Sequence, residues 1–103
     1  MEDKTVLGAP AIAAALAELP GWSHQGRAVV RRYCFAEFGA LTTFVKHLAQ
    51  CIEDTNHHPD VILDTVTRSA TVTLTTHSEG RVTQADLDFA RALDAVQAVT
   101  PTG

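Results

Sequence analysis

Basic residues are scarce in this chain. Eight Lys and Arg stand against twelve Asp and Glu, for a net charge of −4. The basic stripe that nucleic-acid binding requires is therefore missing. Cysteine is equally sparse: Cys34 and Cys51 are the only two, too few for a disulfide framework. No apolar run approaches the roughly 18 uninterrupted residues of a transmembrane helix. The opening residues, MEDKTVLGAP, carry acids where a secretory leader carries bases, and no leader-like apolar segment follows. There is no Gly-rich phosphate loop, no C-x-x-C, no H-E-x-x-H and no recognisable nucleophile motif. These absences direct the expectation to a soluble, cytoplasmic protein of a reducing compartment, with neither membrane nor nucleic acid as a partner.

What is present is a core. Apolar residues make up 46% of the 103 positions, with only 6 Gly and 4 Pro, which favours a packed domain over a disordered chain. The whole chain, 1–103, is expected to form one domain. A domain of this size buries roughly 65% of its unfolded surface, so association between subunits would help it.

Periodicity predicts the elements. Residues 10–19 are rich in helix formers, with Pro10 suited to a first helical position and Pro20-Gly21 as the stop. Residues 22–25 and 28–35 read as two short strands. In the second, Val29, Tyr33 and Phe35 share a face that Arg31 interrupts. Residues 37–54 form the clearest helix, with an apolar stripe of Phe38, Leu41, Val45, Leu48 and Ile52, widened by Phe44 and Cys51. It should stop near Asn56, because Pro59 disfavours a helical His58. Residues 61–66 and 70–76 read as a hairpin turning at 67–69. Ala70, Val72 and Leu74 alternate with three threonines, as in a sheet covered on one side. A last helix starts at Thr83, with Asp86 at capping-box spacing and Ala85, Phe89, Leu93 and Val96 as its stripe. The expected fold is α+β: a four-stranded antiparallel sheet with three helices packed on one face, in the order α-β-β-α-β-β-α.

Three of the five histidines fall where elements end. His57 and His58 lie at a helix–strand junction and His77 at a strand end, so the rim of the sheet can bring them together. Histidine titrates near working pH, so a pair of imidazoles can supply both a proton donor and a proton acceptor. Glu53 lies one helical turn before His57 and can orient it. The plainer readings are a histidine favoured by a helix dipole at His57, a helix cap at Asp86 and a core aromatic at Trp22. A metal is the chemical rival, since His47 and Cys51 are spaced as a ligand pair on one helix.

The run E-D-T-N-H-H-P at 53–59, followed by T-L-T-T-H and G-x-x-T-x-x-D, resembles the pterin-4a-carbinolamine dehydratase family. L-P-G-W at 19–22 and F-A-E-F at 35–38 are similar to that family's approach to its first strand and its strand-to-helix junction. The resemblance implies dehydration of 4a-hydroxytetrahydropterin to quinonoid dihydropterin, which recycles pterin for aromatic amino-acid hydroxylation. It implies a dimer or tetramer, and neither metal nor organic cofactor. It places His57, His58 and His77 in the catalytic site, with His57 and His77 sharing the acid–base work and His58 holding the pterin. Glu53, Pro59, Trp22 and Asp86 are implied around the substrate. The chain departs from the family pattern in having no aromatic between Pro59 and His77, and in an extra length there of about two residues. A working site needs that length in the 67–69 turn, because a bulge near Thr75 would rotate His77 to the opposite face. The alternative is a silent relative that binds a protein client, as the Rubisco assembly chaperones of carboxysomes do.

Overall fold

A computed structural model describes residues 2–95. The elements run α1 (Ala9–Leu16), β1 (Ser23–Gln25), β2 (Ala28–Cys34), α2 (Phe38–Thr55), β3 (Asp60–Asp64), β4 (Ser69–Leu74) and α3 (Gln84–Asp94). The sheet is antiparallel throughout, in the spatial order β1-β2-β4-β3. The α+β architecture and its element order are those the periodicity predicts.

The alternation in β4 is realised as read: Ala70, Val72 and Leu74 are fully buried, facing Tyr33, Arg31 and Val29 of β2 across the ladder. Arg31 interrupts that inner face without an unpaired charge. Its guanidinium lies 4.4 Å from the centre of the Tyr33 ring and pairs with Asp94 of α3 at 3.0 Å. Asp94 also accepts from the Trp22 indole N–H at 2.8 Å and from the Tyr33 hydroxyl. Burial and that carboxylate push the Tyr33 hydroxyl far above its ordinary range. Trp22, Tyr33, Phe35 and Phe44 stack into one aromatic cluster beneath the helices.

Three elements depart from the expectation. The first helix ends at Leu16 rather than at 19, and the chain tightens into turns in which the Glu18 and Leu19 N–H groups bond to the Ala15 and Leu16 carbonyls. The buried seam of α2 is Leu41, Phe44, Leu48 and Cys51, while Phe38 is 52% exposed and Val45 and Ile52 are only half-buried. The apolar face is wide enough for either seam at 3.6-residue spacing, and the sheet selects the one that meets the aromatic cluster. The hairpin turns at 65–68 rather than 67–69, because Asp64 Oδ1 accepts the N–H groups of Val66 and Thr67 and ends β3 early. Pairing from Asp60↔Thr73 to Asp64↔Ser69 is unbroken, so no bulge disturbs it. In α3, Ala85, Phe89 and Leu93 are buried as read; Val96 lies outside the described residues. No helix among the described residues is long and apolar enough to cross a membrane.

Candidate active site

The end of α2 determines where the paired histidines go. Asn56 takes a left-handed conformation at φ 55° while its N–H still bonds to the Ile52 carbonyl at 2.8 Å. Asparagine tolerates that conformation better than a β-branched residue does. The chain therefore swings sharply, and Thr55 Oγ1 catches the His57 N–H at 3.1 Å. His57 turns inward and is buried, while His58 turns outward and is exposed. His77 arrives from the other side. Beyond β4, Thr76 pairs with Arg81 across a tight turn completed by Gly80 at φ 66°, and His77 stands on that turn with its side chain 71% exposed.

These segments enclose an open cleft of about 270 Å³, whose walls include Glu2, Lys4, His57, His58, Thr76 and His77. The volume sits near the lower end of small-molecule sites, which run from roughly 300 Å³ upward. The three rim histidines of the sequence reading therefore meet at one cleft. Asp60 of β3 lies 3.7 Å from His77 Nε2, an exposed and weak pairing.

The histidines are not equivalent. His57 Nε2 lies 2.5 Å from Asp86 Oδ1, and its Nδ1 lies 2.6 Å from Glu2 Oε1. An ionised carboxylate on each ring nitrogen can only accept, an arrangement that favours the doubly protonated imidazole. Asp86 foremost, and Glu2 after it, hold His57 above its ordinary value against burial, which acts the other way. Neither ring nitrogen is left for a ligand. His58 makes no side-chain hydrogen bond among the described residues and opens onto the cleft.

Asp86 is 0% exposed and lies beneath the site rather than in it. Besides His57 it accepts from Thr76 Oγ1 and from the Thr83 N–H, both at 2.9 Å, closing the capping box that starts α3. Glu53 is exposed on α2 and is absent from the cleft wall, as is Pro59, which is half-buried between His58 and β3. Trp22 lies in the aromatic core, with its indole N–H committed to Asp94. Glu2, Lys4 and Thr76 carry no local signal in the sequence; Glu2 is 55 positions from the histidine it contacts.

His47 and Cys51 do approach each other, with Sγ 3.5 Å from Nε2. The same Nε2 faces the carbonyls of Ala92 and Leu93 at 3.0 and 3.1 Å, to which it donates, tying α2 to the end of α3. No cluster of His, Cys, Asp or Glu suited to a metal occurs among the described residues.

The fold and cleft define a class: a small α+β protein whose sheet rim gathers histidines around an open pocket. The family model for pterin 4 alpha carbinolamine dehydratase matches residues 5–96, and the chain belongs to that family. A provisionally named pterin-4-alpha-carbinolamine dehydratase of Thermomicrobium roseum is 40% identical over 82 residues, covering 80% of this chain and 86% of that one. A similarly named protein of Rhodopseudomonas palustris is 42% identical, covering 82% and 84%. Among solved structures, a transcriptional coactivator/pterin dehydratase from Brucella melitensis superposes with a TM-score of 0.81 at 30% identity, covering 91% of this chain and 98% of its own. A pterin dehydratase-like protein described as a RuBisCO assembly factor in the alpha-carboxysome superposes with a TM-score of 0.61 at 28% identity, covering 73% and 87%.

Proposed function

We propose that the protein dehydrates a 4a-hydroxytetrahydropterin to the quinonoid dihydropterin. The observation that carries this reading is the convergence of His57, His58 and His77 on one open cleft. Hydroxide leaves poorly, so an acid protonates the C4a oxygen and the C–O bond breaks to release water. The adjacent ring nitrogen closes a C=N bond with its lone pair, and its proton passes to a base. Two imidazoles are sufficient for these transfers, each worth roughly 10²–10⁴ in rate. They are assigned here to His77 and His58, whose rings are open to the cleft. This division differs from the one the resemblance implies, because His57 has no ring nitrogen to spare. Asp86 and Glu53 support the site from outside the cleft wall, Pro59 fixes the exit of the chain from His58, and Trp22 is a core residue in this assignment. No step requires a metal or organic cofactor. The reading further places the protein in the cytoplasm as a single-domain homo-oligomer.

The test is turnover of freshly generated carbinolamine. His77→Ala and His58→Ala should each lower the rate at least tenfold, and wild-type rates in both would refute the assignment. The likeness to the carboxysomal assembly factor supports a second reading, in which the fold serves a protein client. No turnover by the wild-type protein, together with capture of a defined client, would favour that reading.

A further inference from the structure

We propose that the N-terminal segment is a working part of the site, and that Glu2 is a positioning residue: with Asp86 opposite, it clamps the His57 imidazole as a fixed cation in the cleft wall. The inference rests on the dehydratase reading only for its effect on turnover; the clamp itself stands on geometry.

Residues 2–7 run as a strap across the start of α3. The first N–H groups of a helix have no partner within it. Here the strap supplies two: Gln84 N–H bonds to the Thr5 carbonyl at 2.9 Å and Ala85 N–H to the Asp3 carbonyl at 2.6 Å. Val6 bridges to Thr83, and the Leu7 N–H reaches the Val82 carbonyl at 3.4 Å. Asp3 Oδ1 closes on the Thr5 N–H and hydroxyl, which fixes the bend. Lys4 then extends along the cleft to Ser78 Oγ at 3.2 Å, and Glu2 is delivered to His57 Nδ1.

The result is an Asp86–His57–Glu2 chain held by three elements: α3, the end of α2 and the strap. A histidine with one carboxylate keeps a nitrogen for substrate. With two, it is a wall and a charge. Asp3 and Asp88 border His57 on its outer side, while Lys4, His58 and His77 face it across the cleft. Two carboxylates, one imidazolium and Lys4 leave the wall close to neutral, which suits an uncharged ring system. They also leave the moving protons to His58 and His77.

The experiment is Glu2→Gln in the full chain. Gln keeps the size and an accepting oxygen but removes the charge. The amide resonances of Gln84 and Ala85 report whether the strap stays seated. In long-range ¹H–¹⁵N spectra, wild-type His57 should hold both ring protons at about pH 7. In Glu2→Gln its midpoint should fall, because one of the two carboxylates that raise it is gone. The alkaline limb of the dehydration profile should move with it. A neutral His57 in the wild type, or an unchanged midpoint in the variant, would overturn the clamp. A wild-type protein that dehydrates nothing would refute the reaction instead, and the imidazole titration would still decide the role of Glu2.

Discussion

Asp86 is the one fully buried carboxylate among the described residues. It faces three hydrogen-bond donors, one of them on His57. Removing one partner from a buried pair leaves the other charge uncompensated, at a cost of about 3–5 kcal/mol. Asp86→Ala should therefore lose about that much stability in urea denaturation. The pair also links stability to pH. His57 is held above its ordinary value, so it binds its proton more tightly folded than unfolded. Its contribution is present in full below about pH 6.5 and fades as pH rises through the raised folded-state midpoint. Urea midpoints measured from neutral to alkaline pH should fall for wild type, and less steeply for Glu2→Gln. Equal slopes would mean that the clamp stores no proton-linked stability. Trp22 tests the opposite case. Its indole N–H bonds to Asp94 within the aromatic core, so Trp22→Phe should lose about 1 kcal/mol and leave pterin turnover unchanged. A large loss of turnover with stability intact would return Trp22 to the site.

At the level of elements, the joint between α2 and β3 does most to shape the site. A left-handed Asn56 sends one histidine in and the next out. A residue other than Gly or Asn pays roughly 1–2 kcal/mol for that conformation. Asn56→Ala should thus lower stability by about 1 kcal/mol, while Asn56→Gly should leave it within a few tenths. Thermal melts of the two variants decide this, and equal losses would show that the Asn56 side chain matters more than its backbone angle. This joint was legible in the sequence, since Asn56 and Pro59 both mark a helix stop. So were the strands, whose alternation faces the core as read in β4. The choice of seam on α2 was not legible, because Phe38-Leu41-Val45 and Leu41-Phe44-Leu48 both satisfy helical spacing and only the facing aromatic cluster distinguishes them. The candidate cleft was legible in its histidines, since His57, His58 and His77 all stand at element ends and all line it. Glu2 escaped notice because a long-range partner of a histidine has no period and no motif to announce it.

Viewed as a whole molecule, the fold leaves one side of its sheet open. β3 is an edge strand, paired only with β4. Val61 and Leu63 oppose the buried Val72 and Ala70, so they belong to the core face, yet both remain exposed because the helices do not extend over them. Ile62 on the other face is 72% exposed and Val66 in the turn 85%. The Phe35 N–H bonds to the Arg68 carbonyl, which sets that turn beside the start of α2, where Phe38 is also exposed. An uncovered edge with apolar side chains is a template for pairing. A standard interface takes about 800 Å² from each partner, roughly a seventh of the 5791 Å² that this chain exposes. One short strand cannot supply that area, so an interface of that size here would extend from β3 onto the Val66–Phe38 flank. A second copy is the simplest partner, since twofold closure buries the same patch on both chains. Light scattering at micromolar concentration should then return a multiple of the 11.0 kDa chain mass. Ile62→Lys combined with Leu63→Lys should reduce it to a single chain while Asp86 and the core hold the fold. A wild-type protein that scatters as one chain would leave this patch to a different partner and would weaken the oligomer assigned to it here.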